Sequence, residues 1–244
     1  MTYNFALIIP MANEEEDFQS FINSLIHELD ILKCGTVYFV IDNVSKDNTL
    51  NLCKKLSDLD KRFVTVWAPE NKNIVDAYIR GYKEAYKNNH EFMIEMDAGL
   101  SHDPRAIPMF LRVLNEGNEC AFGSRFINGG SIWESTWKRT FLSKFGTIIS
   151  NILLGTRMYD LTSGYQGFHA SVVEKIINYH LLSKAHFYQT EIRYLLRKSR
   201  FAEVPIHYRA PSPSVSKRAI QNSIRVLFHY FLLRISGNPA KIQL

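Results

Sequence analysis

The chain has 244 residues, 46% hydrophobic and 22% charged, enough apolar material for one large core and too balanced for a disordered or low-complexity protein. Lysine and arginine outnumber aspartate and glutamate 29 to 24, and the net charge of +5 favours anionic partners such as nucleotides, polyprenyl phosphates, phospholipid or RNA without choosing among them. Cys34, Cys53 and Cys120 lie far apart with no CxxC pair, which argues against a zinc site and a disulfide framework and for a reducing compartment.

The first strand expected is "FALIIP" from Phe5. An amphipathic helix, "NEEEDFQSFINSLIHELDILK", should follow, opened by Asn13 with Glu16 completing a capping box. The same alternation continues with "TVYFVID" and "KDNTLNLCKKLSDL", then "FVTVWA" and "IVDAYIRGYKEAYKN", then "EFMIEMD" and "PRAIPMFLRVLNEG", and reaches "ECAFGS". Short apolar strands separated by helices predict an α/β fold with a Rossmann-like, mostly parallel sheet flanked by helices. Beyond Ser124 the rhythm loosens. A helix ending at Gly155 is expected from "WKRTFLSKFGTIISNILLG", then a loop with a short strand in "DLTSGYQGFHA". "ASVVEKIINYHLL" and "FYQTEIRYLLRKSR" read as helices, "AEVPIHYRA" as a strand, "PSPSVSK" as a polar loop, and about Ala219 to Ser236 as a basic amphipathic helix.

The N-terminus lacks a basic leader, and its short apolar run ends in acids, so no signal peptide is expected. The apolar run from Ile224 is too short to cross a bilayer. The predicted location is the cytoplasm, with a peripheral seat on the cytosolic face of a membrane as an option. "PMANEE" after the first strand has no glycine, which argues against a conventional dinucleotide site. Dispersed basic residues and acids at the strand ends argue against nucleic acid.

In open α/β sheets, ligands gather at the carboxyl ends of the strands. Here those ends carry Pro10 to Glu14, Asp42, Asp97 and Ser124-Arg125. The stretches "IIPMANEEE", "VIDNVSKDNT", "EMDAGLSHDP", "FGSRF", "WKRTFLS", "DLTSGYQGF", "FYQTEI" and "SVSK" occur in family order over nearly the whole chain. In them the chain resembles the family 2 glycosyltransferases of GT-A fold, and within these the dolichyl (polyprenyl) phosphate mannosyltransferases.

That resemblance implies a single domain over 1–244, with a nucleotide-sugar-binding half, 1–125, and an acceptor-binding half, 126–244. It puts Pro10, Asn13, Glu14, Asp42, Asp97 and Ala98 against a GDP- or UDP-sugar donor. Asp97 matches the first acid of a DxD motif that holds Mg²⁺ or Mn²⁺ against the donor diphosphate. The motif here reads Asp97-Ala98-Gly99, so the cation is expected to be weakly held. His102 or Asp103 leaning in, or basic side chains replacing the cation, are the alternatives, and helix capping before Pro104 is the structural reading of both residues. Glu95 shares a strand face with Asp97 but lies a step deeper.

For the acceptor phosphate the resemblance implies Arg125, Arg139, Ser143, Thr162, Ser163 and Lys217. Arg139 and Ser143, four apart, share a helix face. Gln166 stands where an arginine is usual in the family. The expected reaction is inverting transfer of a mannose- or glucose-type hexose to a polyprenyl or dolichyl phosphate, with Asp97, Arg125 and Glu191 as the catalytic candidates. A phosphate acceptor needs no general base, since its second pKa is about 6. A glycan hydroxyl acceptor would need one, and Glu191 is the candidate. Gly99, Asn43 and Gln166 together leave a third reading, a non-catalytic nucleotide-binding subunit. A membrane surface and a membrane-protein partner complete the expected contacts.

Overall fold

A computed structural model describes residues 3–134, 136–209 and 216–243; for Lys138 and Arg139 it describes the helical backbone alone. Seven strands form the main sheet in the order β3-β2-β1-β4-β7-β5-β8. They are β1 (Phe5–Met11), β2 (Thr36–Ile41), β3 (Phe63–Trp67), β4 (Phe92–Glu95), β5 (Cys120–Ser124), β7 (Gln166–His169) and β8 (Phe201–Pro205). All neighbours pair in parallel except β7, which runs antiparallel between β4 and β5. Burial on both faces of β1 explains its unbroken apolar run. Apolar clusters line both faces of the sheet, one built around Ile8, Tyr78 and Phe168, the other around Leu7, Phe21 and Phe110.

Helices α1 (Phe18–Leu32), α2 (Thr49–Leu59), α3 (Ile74–Lys87) and α4 (Ile107–Asn115) connect the first five strands. Helix α1 begins four residues later than the sequence predicts, with Asp17 rather than Asn13 as its cap, and the expected capping box does not form. Asn13 sits at φ +58°, outside helical geometry, and its side chain bonds the 44–46 loop instead. Its N-cap is Asp17, which makes no side-chain capping bond.

Helix α5 (Trp137–Leu154) ends as expected, with Gly155 at φ +70°. Arg234 closes that terminus, its Nη1 donating to the carbonyls of Ile152 (2.7 Å) and Leu153 (2.9 Å). Helices α6 (Ala170–Ile177) and α7 (Phe187–Leu195) are shorter than their apolar patterns, and α8 (Lys217–Ile235) packs on α5 and α7. "AEVPIHYRA" does not make one strand. It leaves the main sheet at Ile206, and β9 (His207–Arg209) pairs in parallel with β6 (Ser131–Trp133). Three residues are too short for β6 to show alternation, so the sequence carries no signal for it. Most of the "PSPSVSK" loop lies outside the described residues.

One side chain ties the second half to the sheet. Arg193, wholly buried in α7, donates to Gln166 Oε1 (3.0 Å) and to the carbonyls of Gly123 (3.2 Å), Ser163 (2.9 Å), Tyr165 (3.3 Å) and Asp160. Burial lowers its pKa to about 10, so it stays charged at neutral pH. Arg193→Met would strip a buried donor from each of those acceptors, of which the Tyr165 carbonyl keeps the Gly123 amide (2.8 Å) as a second partner. It should destabilise the protein by about 3–5 kcal/mol, measured from the urea midpoint at constant slope.

Candidate active site

Strands β1, β2 and β4 run in parallel, so their carboxyl ends share one edge, and the strand order reverses at β1. Such a reversal opens a crevice above the sheet. Because β7 runs the other way, residues 160–165 enter at the same edge, beside the end of β5.

On the β1–β2 side a turn is locked around Asn13. Its amide donates to Ser45 Oγ (3.2 Å), its Nδ2 to the Val44 carbonyl (3.3 Å), and its Oδ1 accepts from the Lys46 amide (2.8 Å). Asp42 is buried and accepts from the Val44 amide (2.9 Å), while Asn43 donates to the Pro69 carbonyl (2.9 Å). Pro10 is half-buried in β1. The Glu14 amide donates to Thr49 Oγ1 (2.9 Å). Burial, then the charges of Asp17, Asp97 and Asp47, push its carboxyl up to about 7.

Asp97 is held from two directions. Its amide donates to His102 Nδ1 (2.9 Å), and Tyr78 donates its hydroxyl to Oδ1 (2.9 Å). As Nδ1 is an acceptor, His102 is the neutral Nε2–H tautomer, and burial lowers its pKa in the same sense. Its 3.8 Å approach to Asp97 Oδ2 is therefore no ion pair. His102 is wholly buried, stacked on Tyr165 with ring centroids 4.9 Å apart. Asp103 accepts from the Arg105 amide (3.0 Å) and pairs with its guanidinium (2.6 Å). Asp103 caps the turn that opens at Pro104, as the capping reading has it, whereas His102 does not cap it but pins the Asp97 backbone, and Ala98 is half-exposed beside them.

Glu95 takes no part in the edge. It is wholly buried and accepts from Tyr82 (2.7 Å), Tyr188 (2.7 Å) and Gln166 (2.6 Å). Burial carries its pKa to about 7 against those three hydrogen bonds. Gln166, where the resemblance places an arginine near the acceptor phosphate, faces this interior network, so its uncharged side chain subtracts nothing from the surface.

The acceptor-side candidates separate into buried and exposed. Arg125 is buried in a bidentate pair with Asp160 (Nε–Oδ2 2.7 Å, Nη2–Oδ1 2.9 Å) and donates to Thr162 Oγ1 (2.5 Å). Ser163 is buried and accepts from the Tyr165 amide (3.4 Å). Glu191, expected at the acceptor groove, is wholly buried. Its oxygens accept from the amides of Leu182 and Ser183 (2.8 Å each) and from the Tyr230 hydroxyl (2.6 Å). That is an anchor for α8 and the 182–183 loop. Ser143 is half-exposed in α5, Lys217 is exposed at the start of α8, and the Arg139 side chain lies outside the described residues. Lys144, not singled out from the sequence, is an exposed cation whose Nζ lies 5.4 Å from the Phe126 ring that Arg125 also contacts at 5.2 Å. Tyr78 was equally hidden, its position in α3 looking like ordinary core.

Helices α5 and α8 also leave apolar stripes in solvent. Phe141, Phe145, Ile148 and Ile152 in α5, and Ile224, Phe228, Leu232 and Ile235 in α8, are all between 46% and 68% exposed. Among the described residues no helix is long and apolar enough to cross a membrane.

The profile of Glycosyl transferase family 2 matches residues 6–177. Polyprenol monophosphomannose synthase of Mycolicibacterium smegmatis is 30% identical over 93% of this chain and 85% of its own length. Dolichol-phosphate mannosyltransferase of Pyrococcus furiosus is 27% identical over 97% of this chain and 66% of its own. Undecaprenyl-phosphate mannosyltransferase of Micrococcus luteus is 26% identical over 82% of each. Among solved structures, glucosyl-3-phosphoglycerate synthase of Mycobacterium tuberculosis, in complex with Mn²⁺, UDP and phosphoglyceric acid, superposes with a TM-score of 0.66 at 16% identity, covering 97% of this chain and 80% of that one. The fold is shared with that enzyme.

The Asp160–Arg125 pair has a pH signature. Burial alone would raise the Asp160 carboxyl, but the Arg125 guanidinium, helped by Arg193, holds it below the ordinary carboxylate value. A depressed folded pKa gives stability that is present above the unfolded value of about 4 and lost as pH falls through the folded one. Asp160→Asn should lower stability at pH 7 and flatten the stability–pH curve below about pH 4, read by denaturant titrations at a series of pH values.

Proposed function

The chain belongs to glycosyl transferase family 2, and from that premise we propose that it moves a mannose- or glucose-type hexose from a GDP- or UDP-sugar to a polyprenyl phosphate. The observation that carries the acceptor choice is the state of the acids on that side. Asp160 is paired with Arg125, Glu191 accepts three hydrogen bonds, and Glu203 accepts from the amides of Tyr159 and Asp160. None of these three is free to take a proton from a sugar hydroxyl. A phosphate oxygen, largely ionised at neutral pH, needs no such base. It attacks the anomeric carbon as the bond to the donor diphosphate breaks, which inverts that carbon and releases the nucleoside diphosphate.

The residues at the strand ends divide the work. The locked 42–46 turn and Asn13 form the wall for the base and ribose, and Asp42 is the acceptor for a base N–H. Asp97, oriented by Tyr78 and His102, offers Oδ2 to a cation on the diphosphate. Carboxylate oxygen suits Mg²⁺ or Mn²⁺, which when bound neutralises charge on the leaving group. With Gly99 in place of a second acid, Asp97 is the one carboxylate that the motif itself would bring to the cation. On the acceptor side, Thr162, Ser143, Lys144 and Lys217 are accessible to a phosphate, and Arg125 positions Thr162.

The exposed stripes of α5 and α8, with Lys144, Lys217, Arg218 and Arg225 exposed on the same helices, suit the interface of an anionic bilayer, where a lipid-linked acceptor resides. The polyprenyl phosphate substrates named for the three relatives support the same reading.

Incubation with GDP- and UDP-sugars, a polyprenyl phosphate and Mn²⁺ should move labelled sugar into the organic phase; no product across the panel, with nucleotide binding intact, removes the proposal. Glu191→Gln is expected to cost about 1–3 kcal/mol of stability while turnover per folded molecule stays within about threefold. A turnover collapse in the folded variant would instead favour a hydroxyl acceptor. Phe141→Asp with Phe228→Asp should reduce co-sedimentation with anionic vesicles by at least about tenfold, on the transfer cost of two large apolar side chains.

A further inference from the structure

We infer that Glu14 supplies the second protein oxygen of the cation site, reaching from the end of β1 into the space that the missing side chain of Gly99 leaves, an inference that rests on the donor reading above. Gly99 is buried at φ +71°. A Cβ built on it would stand 3.1 Å from Glu14 Oε2 and, chain neighbours aside, within 4 Å of no other heavy atom among the described residues. A carboxylate therefore already occupies the position toward which the second acid of a DxD motif would extend. It comes from a neighbouring strand and is carried by a side chain one methylene longer.

The rest of the edge leaves this role to Glu14. His102 accepts the Asp97 amide at Nδ1 and is buried, and Asp103 is neutralised by Arg105. The Ser101 carbonyl accepts from the Arg209 amide (2.9 Å). The Glu14 carboxylate, by contrast, accepts no hydrogen bond and joins no ion pair among the described residues, although it is half-buried. Its backbone is fixed on both sides. Thr49 holds its amide at 2.9 Å, and Asn13, bonded three times to the 44–46 loop, sets the turn before it. A half-buried, unpartnered carboxylate on a fixed backbone, set against Gly99 two residues from Asp97, is placed to take a cation as its partner. Glu14, Asp97, diphosphate oxygens and water make the hard oxygen set that Mg²⁺ or Mn²⁺ takes.

The same geometry says why aspartate at 99 does not simply restore the motif. Its Cβ would crowd Oε2 at 3.1 Å, in a backbone region that disfavours L side chains, and add a like charge. The two acids are alternatives for one place, and a double substitution tests that.

Mn²⁺ binding to the full-length protein is measured by the loss of the free-ion paramagnetic resonance signal, with UDP or GDP present, and nucleotide binding is measured separately in chelator. Glu14→Gln should raise the Mn²⁺ dissociation constant at least about tenfold, equivalent to about 1.4 kcal/mol, while still binding nucleotide in chelator. Glu14→Ala should show the same loss, and Glu14→Ala combined with Gly99→Asp, in which the crowding oxygen is gone, should recover part of it, whereas Glu16→Gln, an exposed neighbour, should bind Mn²⁺ like the wild type. Wild-type Mn²⁺ affinity in Glu14→Gln, or no recovery in the folded double variant, overturns the inference and leaves the donor reading standing. A wild-type protein that binds neither UDP nor GDP overturns both.

Discussion

Asp160 is the point on which the second half of the molecule depends. It is wholly buried between two guanidinium groups, pairing through its carboxylate with Arg125 and giving its carbonyl to Arg193. Burying a carboxylate is costly unless its charge and lone pairs are met, and here both are. Because Arg125 follows β5, Asp160 precedes β7 and Arg193 lies in α7, the three fix where the antiparallel strand enters a parallel sheet. Without that insertion the 160–165 segment would not lie at the edge where β1, β2 and β4 end.

A second network is built on the first. Arg193 reaches Gln166, Gln166 reaches Glu95, and Tyr82 and Tyr188 close on the same carboxylate. Tyr188 stacks on Tyr78 with ring centroids 5.5 Å apart, and Tyr78 holds Asp97. The orientation of one edge carboxylate thus derives from packing that extends to α7. The division of charge follows. Cations in the interior, Arg125 and Arg193, are committed to protein acceptors, whereas Lys144 and Lys217 stand exposed to solvent.

Much of the architecture was legible in the chain. Alternating apolar strands and amphipathic helices marked the parallel sheet as far as Ser124, and the ordered motifs located the edge where Pro10, Asn13, Glu14, Asp42 and Asp97 lie. Boundaries were misread where a bond between distant segments beat the periodic signal. Asn13 looks like a helix cap but is held in a left-handed turn by the 44–46 loop, some thirty residues on, as its bonds to Val44 and Lys46 attest. Glu191 and Gln166 look like surface groups of an acceptor groove, and hydrophobic pattern alone does not reveal that a polar side chain is buried and hydrogen-bonded.

What the sequence by itself determined is the order of the elements as far as Ser124, the edge where the β1, β2 and β4 ends meet, and the placing of Asp97 and Gly99 on it. These follow from local patterns of period two and 3.6 and from residues adjacent in the chain. Tertiary structure alone decided which charges are free. Asp160 closes on Arg125 across 35 residues, Glu191 on Tyr230 across 39, and Glu14 comes to Gly99 from the end of another strand. Such encounters depend on how strands are ordered in the sheet, a property of the packed chain rather than of any segment of it.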